Sequence, residues 1–388
     1  MPSSGSVVYL DNAATSHPKP EAVYRAADGA LRAGGNPGRG GHRVALAAGR
    51  RVLAAREAVA ALFGVKDAAR VLFTSSATDS LNLALKGLLH PGDHCITTVA
   101  EHNALRRPLV ALALRGVEVT WLPVSPEGIV DPGGVRAALR PNTRLIALAH
   151  GSNVTGALQP VAELGEIARR AGVFLLVDAA QTAGSHPIDV EAMGIHLLAA
   201  PGHKGLLGPQ GTGILYVAPD VPLRPVREGG TGSMATLAEQ PDVFPEGFES
   251  GTLNVPGIAG VGAGADFLLS VGVEAVHARV GALTAALVEG LRRLPGVTVH
   301  GPADPARRCG VVSLSVDGLD PGALEEQLDS AFGVVGRAGL HCAPGAHEVL
   351  GTLPLGGTMR LSPGYFNTEE DIEAAVKAVA AVAALARR

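Results

Sequence analysis

Between residues 71 and 217 the chain alternates short, continuous apolar runs with longer stretches of helical periodicity. The runs are Val71–Phe73, Ile96–Val99, Leu145–Ala149, Val173–Val177, Leu197–Ala200 and Ile214–Val217. Strands covered on both faces need uninterrupted rather than alternating hydrophobicity, so these runs predict a mostly parallel sheet buried between helices. Residues 78–88, 102–114 and 160–171 lie between the runs and repeat their apolar positions with the helical period, as do Val52, Ala55, Val59, Leu62 and Phe63 upstream. The βαβα order predicts a doubly wound α/β unit.

After Thr252 the pattern changes to long Ala/Leu/Val helices as far as about Leu294, then strand-like Val297–Val299 and Val311–Val316, and a closing helix from about Glu369. A chain of 388 residues is too long for a single core. The change of pattern therefore predicts a large α/β domain over 17–255 and a smaller α+β domain over 256–388, which the segment 1–16 joins. Glycine and proline collect at 34–41, 229–232 and 343–357, marking loops that a rigid scaffold can use for function.

Composition narrows the function classes. The net charge is −4 and the basic residues are scattered, which argues against nucleic acid as a partner. Met1–Leu10 lacks the basic head and apolar core of a secretory signal, and Glu373 and Lys377 interrupt the Ala/Val-rich C-terminal stretch, so no membrane span is expected and the protein is read as cytoplasmic. The three cysteines, Cys95, Cys309 and Cys342, form no C-x-x-C pair, which argues against a disulfide framework, a zinc site or an iron–sulfur cluster built by this chain, and no metal ligand is expected. No G-x-G-x-x-G follows an early strand, which argues against a nicotinamide cofactor.

In open parallel sheets the ligand crevice lies beyond the carboxyl ends of the strands, and the polar residues of this chain gather there. Thr74-Ser75-Ser76-Ala77-Thr78-Asp79 opens a helix whose free N–H groups suit a phosphate. His102 follows the next strand, Asn153 the third, Asp178 and Gln181 the fourth, and His203-Lys204 the fifth. Among only five lysines, Lys204 alone sits in a Gly-rich stretch just past a buried strand, where desolvation can free its amine to form a Schiff base. A Schiff-base lysine, an Asp for a pyridinium nitrogen and a helix-end phosphate site are what a pyridoxal phosphate protein must supply.

At these residues the chain resembles the fold-type I, class-V aminotransferase superfamily, and within it the cysteine desulfurases with the catalytic cysteine on a C-terminal loop. The marks are Tyr9-Leu10-Asp11-Asn12-Ala13-Ala14-Thr15, Asn36-Pro37-Gly38-Arg39-Gly40-Gly41-His42, Glu101-His102-Asn103 and Ser152-Asn153-Val154-Thr155-Gly156. Further on stand Val177-Asp178-Ala179-Ala180-Gln181, Gly202-His203-Lys204, Gly251-Thr252-Leu253-Asn254, Arg337-Ala338-Gly339-Leu340-His341-Cys342-Ala343-Pro344 and Met359-Arg360-Leu361-Ser362.

The resemblance implies that Lys204 carries pyridoxal 5'-phosphate, Asp178 keeps its ring nitrogen protonated, Gln181 bonds its phenolic oxygen, and His102 stacks on the ring and serves as an acid–base group. Ala77, Thr78 and His203 would meet the phosphate, with Thr252 reaching it from the other subunit of a homodimer. Arg360, helped by Asn153, would grip the substrate carboxylate, and His42 is a secondary candidate for the substrate pocket, with plain capping of the helix it enters as the equal alternative. Two positions depart from the family: Pro201 replaces the usual Ser or Thr before Gly-His-Lys, and Ser76 stands where Gly is common, so a rebuilt phosphate cup is expected.

The cofactor leaves the bond to be broken undecided, and Cys342 decides it. Its neighbours Arg337 and His341, and the Gly/Pro-rich loop after it, suit an exposed thiolate rather than a core residue, whereas Cys95 and Cys309 lie in or beside apolar strands and read as packing. The resemblance then implies desulfuration of L-cysteine to L-alanine, with a persulfide on Cys342 that is passed to an acceptor protein, as in iron–sulfur cluster assembly. A selenocysteine lyase acting on L-selenocysteine, or another class-V aminotransferase or lyase, is the alternative.

Overall fold

A computed structural model describes residues 7–38, 40–234 and 236–387. Residues 1–6 and Arg388, at the ends of the expected smaller domain, and Arg39 of the glycine-rich motif lie outside the described residues.

The first part of the chain runs β1 (Val8–Tyr9), α1 (Glu21–Ala33), α2 (Arg43–Leu62), β2 (Val71–Thr74), α3 (Ala77–Leu88), β3 (His94–Thr98), α4 (Asn103–Ala113), β4 (Glu118–Leu122) and α5 (Pro132–Ala137). It continues through β5 (Thr143–Ala149), α6 (Val161–Ala171), β6 (Phe174–Asp178), β7 (Leu197–Pro201), β8 (Gly213–Val217), α7 (Val255–Val271) and α8 (Val273–Arg292). The remainder is β9 (Val297–Val299), β10 (Val312–Val316), α9 (Pro321–Phe332), β11 (Val334–Val335), β12 (Arg337–Gly339), α10 (Pro344–Leu350), β13 (Thr358–Leu361) and α11 (Glu369–Ala386).

The large sheet has the order β2-β8-β7-β6-β5-β3-β4. All six apolar runs are strands in it, and β3 to β7 pair in parallel as continuous hydrophobicity requires. Strand β8 runs antiparallel to both β7 and β2, because the link from Pro201 to Gly213 holds no helix to carry a parallel crossover. The seventh strand, β4, is absent from the apolar runs: it lies at an edge, and Glu118 and Thr120 break its hydrophobicity.

A second sheet, β12-β13-β10-β9, is antiparallel, and β1 pairs with β11 beside it. Its core gathers Val8 and Leu10 from the N-terminal segment, Leu283, Leu287 and Leu291 from α8, Leu314, Leu324, Leu361 and the buried face of α11. Helix α7 instead buries Ile258, Val261, Ala265 and Leu268 in the core of the large sheet, and Val276 and Val280 follow, so the chain leaves the first core within α8. Among the described residues no single helix is long and apolar enough to cross a membrane.

Candidate active site

The carboxyl ends of the central strands open on a cleft with about 570 Å³ of space, lined by Ser76, Ala77, Thr78, His102, Asn153, Asp178, Gln181, Pro201, His203 and Lys204 among others. The fold thus brings together every cofactor-binding candidate except Thr252. A second, more apolar cleft of about 620 Å³ touches Lys204 from the side of Leu268, Val276, Tyr365 and Phe366. The polar side chains converge on the first.

Lys204 follows the buried strand β7. Burial, the largest influence, lowers the affinity of its amine for a proton to about 8, with Arg360 and Arg337 adding to the effect and Asp178 and Asp11 opposing it. The loop is fixed just before it: the His203 carbonyl accepts from the Ser16 N–H at 3.0 Å, the Thr15 hydroxyl at 3.1 Å, the Ser16 hydroxyl at 3.2 Å and the Lys19 ammonium at 3.3 Å. Asp178 ends β6, is buried, and accepts from the Ala180 N–H at 2.9 Å. Burial raises its affinity for a proton, while that hydrogen bond and Lys204 work against the rise.

His102 is the N-cap of α4. Its Nδ1 accepts from the Ala104 N–H at 3.0 Å, which leaves the ring proton on Nε2. Burial and the nearby cations Lys204, Arg337, Arg360 and Arg107 push its protonation down to about 4, so the imidazole is neutral at neutral pH. Gln181 donates Nε2 to the Ala13 carbonyl at 3.2 Å.

Helix α3 presents its N-terminus to the cleft, where the first N–H groups have no carbonyl to meet within the helix. Ser76 caps it by accepting from the Asp79 N–H. Its φ of −173° is extended backbone that serine adopts as easily as glycine, so this departure from the family is accommodated. Pro201 is the last residue of β7 and lines the same cup. Nearby, His203 keeps a buried Nδ1 without a partner.

Arg360 on β13 is fully buried. It donates to Asp11 Oδ1 at 3.0 Å and to the Asn153 carbonyl at 3.2 Å, while its Nε is buried and unpartnered. Arg337 is exposed and lies directly across from Arg360 in the β12–β13 pairing.

Cys342 is exposed, and both it and His341 adopt left-handed backbone, at φ 59° and 48°. The turn is held from the large sheet: Asn103 N–H donates to the Cys342 carbonyl at 2.7 Å, and Asn153 Nδ2 to the His341 carbonyl at 2.6 Å. Close behind, a β-carbon at Gly345 would fall 1.9 Å from the Val99 carbonyl oxygen, and Ala343 and Ala346 pack on Val154.

One sequence expectation changes here, and one alternative is decided for the single chain. His341 is buried and bonded to the Thr358 carbonyl at 3.1 Å, and burial, with Arg360, His347 and Arg337, lowers its protonation to about 2. It is a neutral wedge beneath the turn rather than a cation beside the thiol. His42 is exposed and caps α2 by accepting from the Ala45 N–H, and it does not line the cleft of its own chain. Thr252 is exposed and also lies outside that cleft. Cys95 and Cys309 are buried, as the sequence suggests, and burial raises both thiols, Cys309 to about 12.

Nothing in the sequence alone assigns a role to Asp11 or Glu101, although both stand in motifs that resemble the family's. For Asp11 the missing fact is its ion pair with Arg360, formed across 349 positions.

The donors present fit a phosphate-bearing aromatic aldehyde: a proton-poor buried amine, a buried carboxyl, a helix N-terminus and an unpartnered imidazole nitrogen share one cleft. Comparison with known proteins agrees. The model of the family Aminotransferase class-V matches residues 8–375. A probable cysteine desulfurase of Methanothermobacter thermautotrophicus is 36% identical over 373 residues, covering 94% of this chain and 92% of the relative. The cysteine desulfurase IscS of Anaeromyxobacter dehalogenans is 36% identical over 383 residues, covering 95% and 91%. Among solved structures, the apo cysteine desulfurase of Thermococcus onnurineus NA1 superposes with a TM-score of 0.90 at 32% identity, covering 97% of this chain and 95% of the other. The cysteine desulfurase CsdA of Escherichia coli, in an S-sulfonic acid form, gives 0.84 at 31%, covering 98% and 95%.

Proposed function

Because the chain belongs to the class-V aminotransferase family and is a pyridoxal-phosphate-dependent cysteine desulfurase, we propose from its geometry how it moves the sulfur of L-cysteine onto Cys342. The cofactor, when bound, supplies an electron sink for the pair left at the substrate Cα. Lys204 holds it, and the same amine, its proton loosened by burial, takes the Cα proton once freed. Asp178 keeps a proton at the ring nitrogen, Gln181 bonds the phenolic oxygen, and the neutral ring of His102 covers the face and offers its Nε2 proton.

Ala77, Thr78 and His203 hold the phosphate. Arg360, with its buried and unpartnered Nε, takes the substrate carboxylate beside Asn153. The Cys342 sulfur then attacks the substrate sulfur. An S–S bond forms, the carbon–sulfur bond breaks, its electron pair stays with the substrate carbon, and protonation there gives L-alanine. Overall, cysteine and a thiol become alanine and a persulfide, with no external oxidant or reductant.

The observation that carries this reading is the bond from Asn103, the residue after His102, to the carbonyl of the exposed Cys342, because it fastens the turn that bears the thiol to the helix that His102 caps. We further propose two units, with the boundary expected at 255/256 moved into α8 because α7 is buried in the core of the large sheet, the segment 1–16 joining the smaller one, and a homodimer in which Thr252 completes the partner's phosphate site. Exposed Val226, Met234, Leu237 and Val243, in the segment leading to Thr252, support a covered face there. The exposure of Cys342 supports hand-over to an acceptor protein; the cytoplasm as its place and iron–sulfur cluster assembly as its use are what we propose from the resemblance.

The test is Cys342→Ala with labelled L-cysteine. The wild type is expected to carry label on Cys342 by peptide mass spectrometry, and the variant to lose sulfur transfer while keeping its yellow cofactor. Undiminished desulfuration by the variant would defeat the proposal.

A further inference from the structure

Glu101 is buried, only 3% exposed, and has no part in the chemistry above. One carboxyl oxygen accepts from the Thr98 hydroxyl at 2.6 Å and the other from the Ala149 N–H at 2.9 Å. Thr98 ends β3 and Ala149 ends β5, its neighbour in the sheet. Ala149 is in turn paired in register with Asp178 on β6, and the Asp178 carbonyl accepts from the His150 N–H at 2.9 Å. His102 is the next residue along the chain. A single carboxyl group therefore ties the end of β3, just ahead of His102, to the end of β5, whose last residue is paired with Asp178 on β6.

The groups that act on its charge are Asp178 across the sheet and the Cys95 thiol behind it on β3, neither of them a cation. Burial raises the carboxyl to about 7. Its hydrogen bonds from Thr98 and Ala149 oppose the rise, and Asp178 reinforces it.

We propose that Glu101 is a positioning residue for the cofactor ring: it braces His102 and Asp178 from behind, and its gain or loss of a proton changes the negative charge standing behind Asp178. This rests on the reading that Lys204 and Asp178 hold pyridoxal phosphate.

The experiment titrates the visible absorbance and circular dichroism of the bound cofactor against pH in the wild-type holoenzyme, Glu101→Gln and Thr98→Val. A spectral transition with its midpoint near neutrality is expected in the wild type. It should vanish in Glu101→Gln and move to higher pH in Thr98→Val, which deletes a donor that favours the carboxylate.

Unfolding of the cofactor-free proteins gives a second readout. Between pH 4.5 and about 7 the native carboxyl holds a proton that the unfolded chain has lost, so its contribution to stability falls as pH rises through that window. Glu101→Gln should therefore gain on the wild type across it. A transition at the same pH in all three proteins would overturn the proposal. Failure of the wild type to take up the cofactor on Lys204 would instead overturn the reading beneath it.

Discussion

The N–H of Asn103 donates to the carbonyl of Cys342 at 2.7 Å, joining the first turn of α4 to the turn that presents the thiol. Asn103 is the first residue of the helix, where proline is well tolerated, and His102 before it already has the φ of −61° and ψ of 149° that a following proline demands. Asn103→Pro therefore deletes one donor and leaves the helix in place. We expect sulfur transfer to fall about 10-fold, in line with ~1.5 kcal/mol for one lost hydrogen bond, with the cofactor spectrum unchanged. Single-turnover persulfide formation measures it, and an unaltered rate would show that the bond does not position the thiol.

Arg360→Lys keeps the charge and removes the planar fork. The buried Arg360 spends donors on Asp11 and the Asn153 carbonyl and leaves Nε for a substrate carboxylate. An ammonium cannot serve all three directions. The KM for L-cysteine should rise about 100-fold, equivalent to ~2.7 kcal/mol, with a much smaller change in kcat. Steady-state kinetics checks this, and an equal loss in kcat alone would assign Arg360 to the chemical step instead.

The central strands and the residues just past them were legible because both signals are local. A strand buried on two faces must be apolar throughout, and a group that serves the crevice must follow it directly, as Asp178 follows Val177 and His203-Lys204 follow Pro201. Strand β4 was not legible, because an edge strand with half-exposed residues has no need of a continuous apolar run. Helix α1 buries only Val23 and Ala30, too thin a stripe to stand out. The charge state of His341 is hidden for a different reason. Its place beside Cys342 is visible in the sequence, but whether it is charged depends on burial against Thr358 and His347, which only the fold creates. Asp11 and Glu101 likewise acquire their roles from partners that folding brings in.

Stability should fall as pH drops below about 6.5. His102, His150, His186, His203 and His341 are all held neutral by burial, with protonation lowered to about 4, 4, 3, 4 and 2. Between those values and 6.5 the unfolded chain binds more protons than the native one, so stability rises with pH across that window and is lost as pH falls through it. Glu101 and Asp178, shifted upward, act in the opposite sense but are outnumbered. His186 packs edge-on against His150 and lies 4.4 Å from the ring of His277, and its Nε2 is buried without a partner. His186→Leu should flatten the acid side of a plot of melting temperature against pH. A curve parallel to that of the wild type would remove His186 from the cause.

The buried pair Arg56–Glu249 offers a test of how the Thr252 segment is anchored. Both side chains are 5% exposed, and the guanidinium meets the carboxylate at 2.7 and 2.8 Å. Arg56 also donates to the Val71 carbonyl and lies over the Phe73 ring, while Glu249 accepts from the Phe73 N–H at 2.6 Å. The pair thus fastens residue 249 to β2, an outer strand of the large sheet, just before Thr252. Removing one partner strands the other charge away from water, so Arg56→Met and Glu249→Leu should each cost ~3–5 kcal/mol. The double variant should lose clearly less than the sum, because neither charge is then left alone. Denaturant unfolding of the four proteins measures the coupling. If the segment also positions Thr252 for a partner's phosphate, both single variants should retain the cofactor less tightly on dialysis, and additive losses with unchanged retention would reduce the pair to two independent packing contacts.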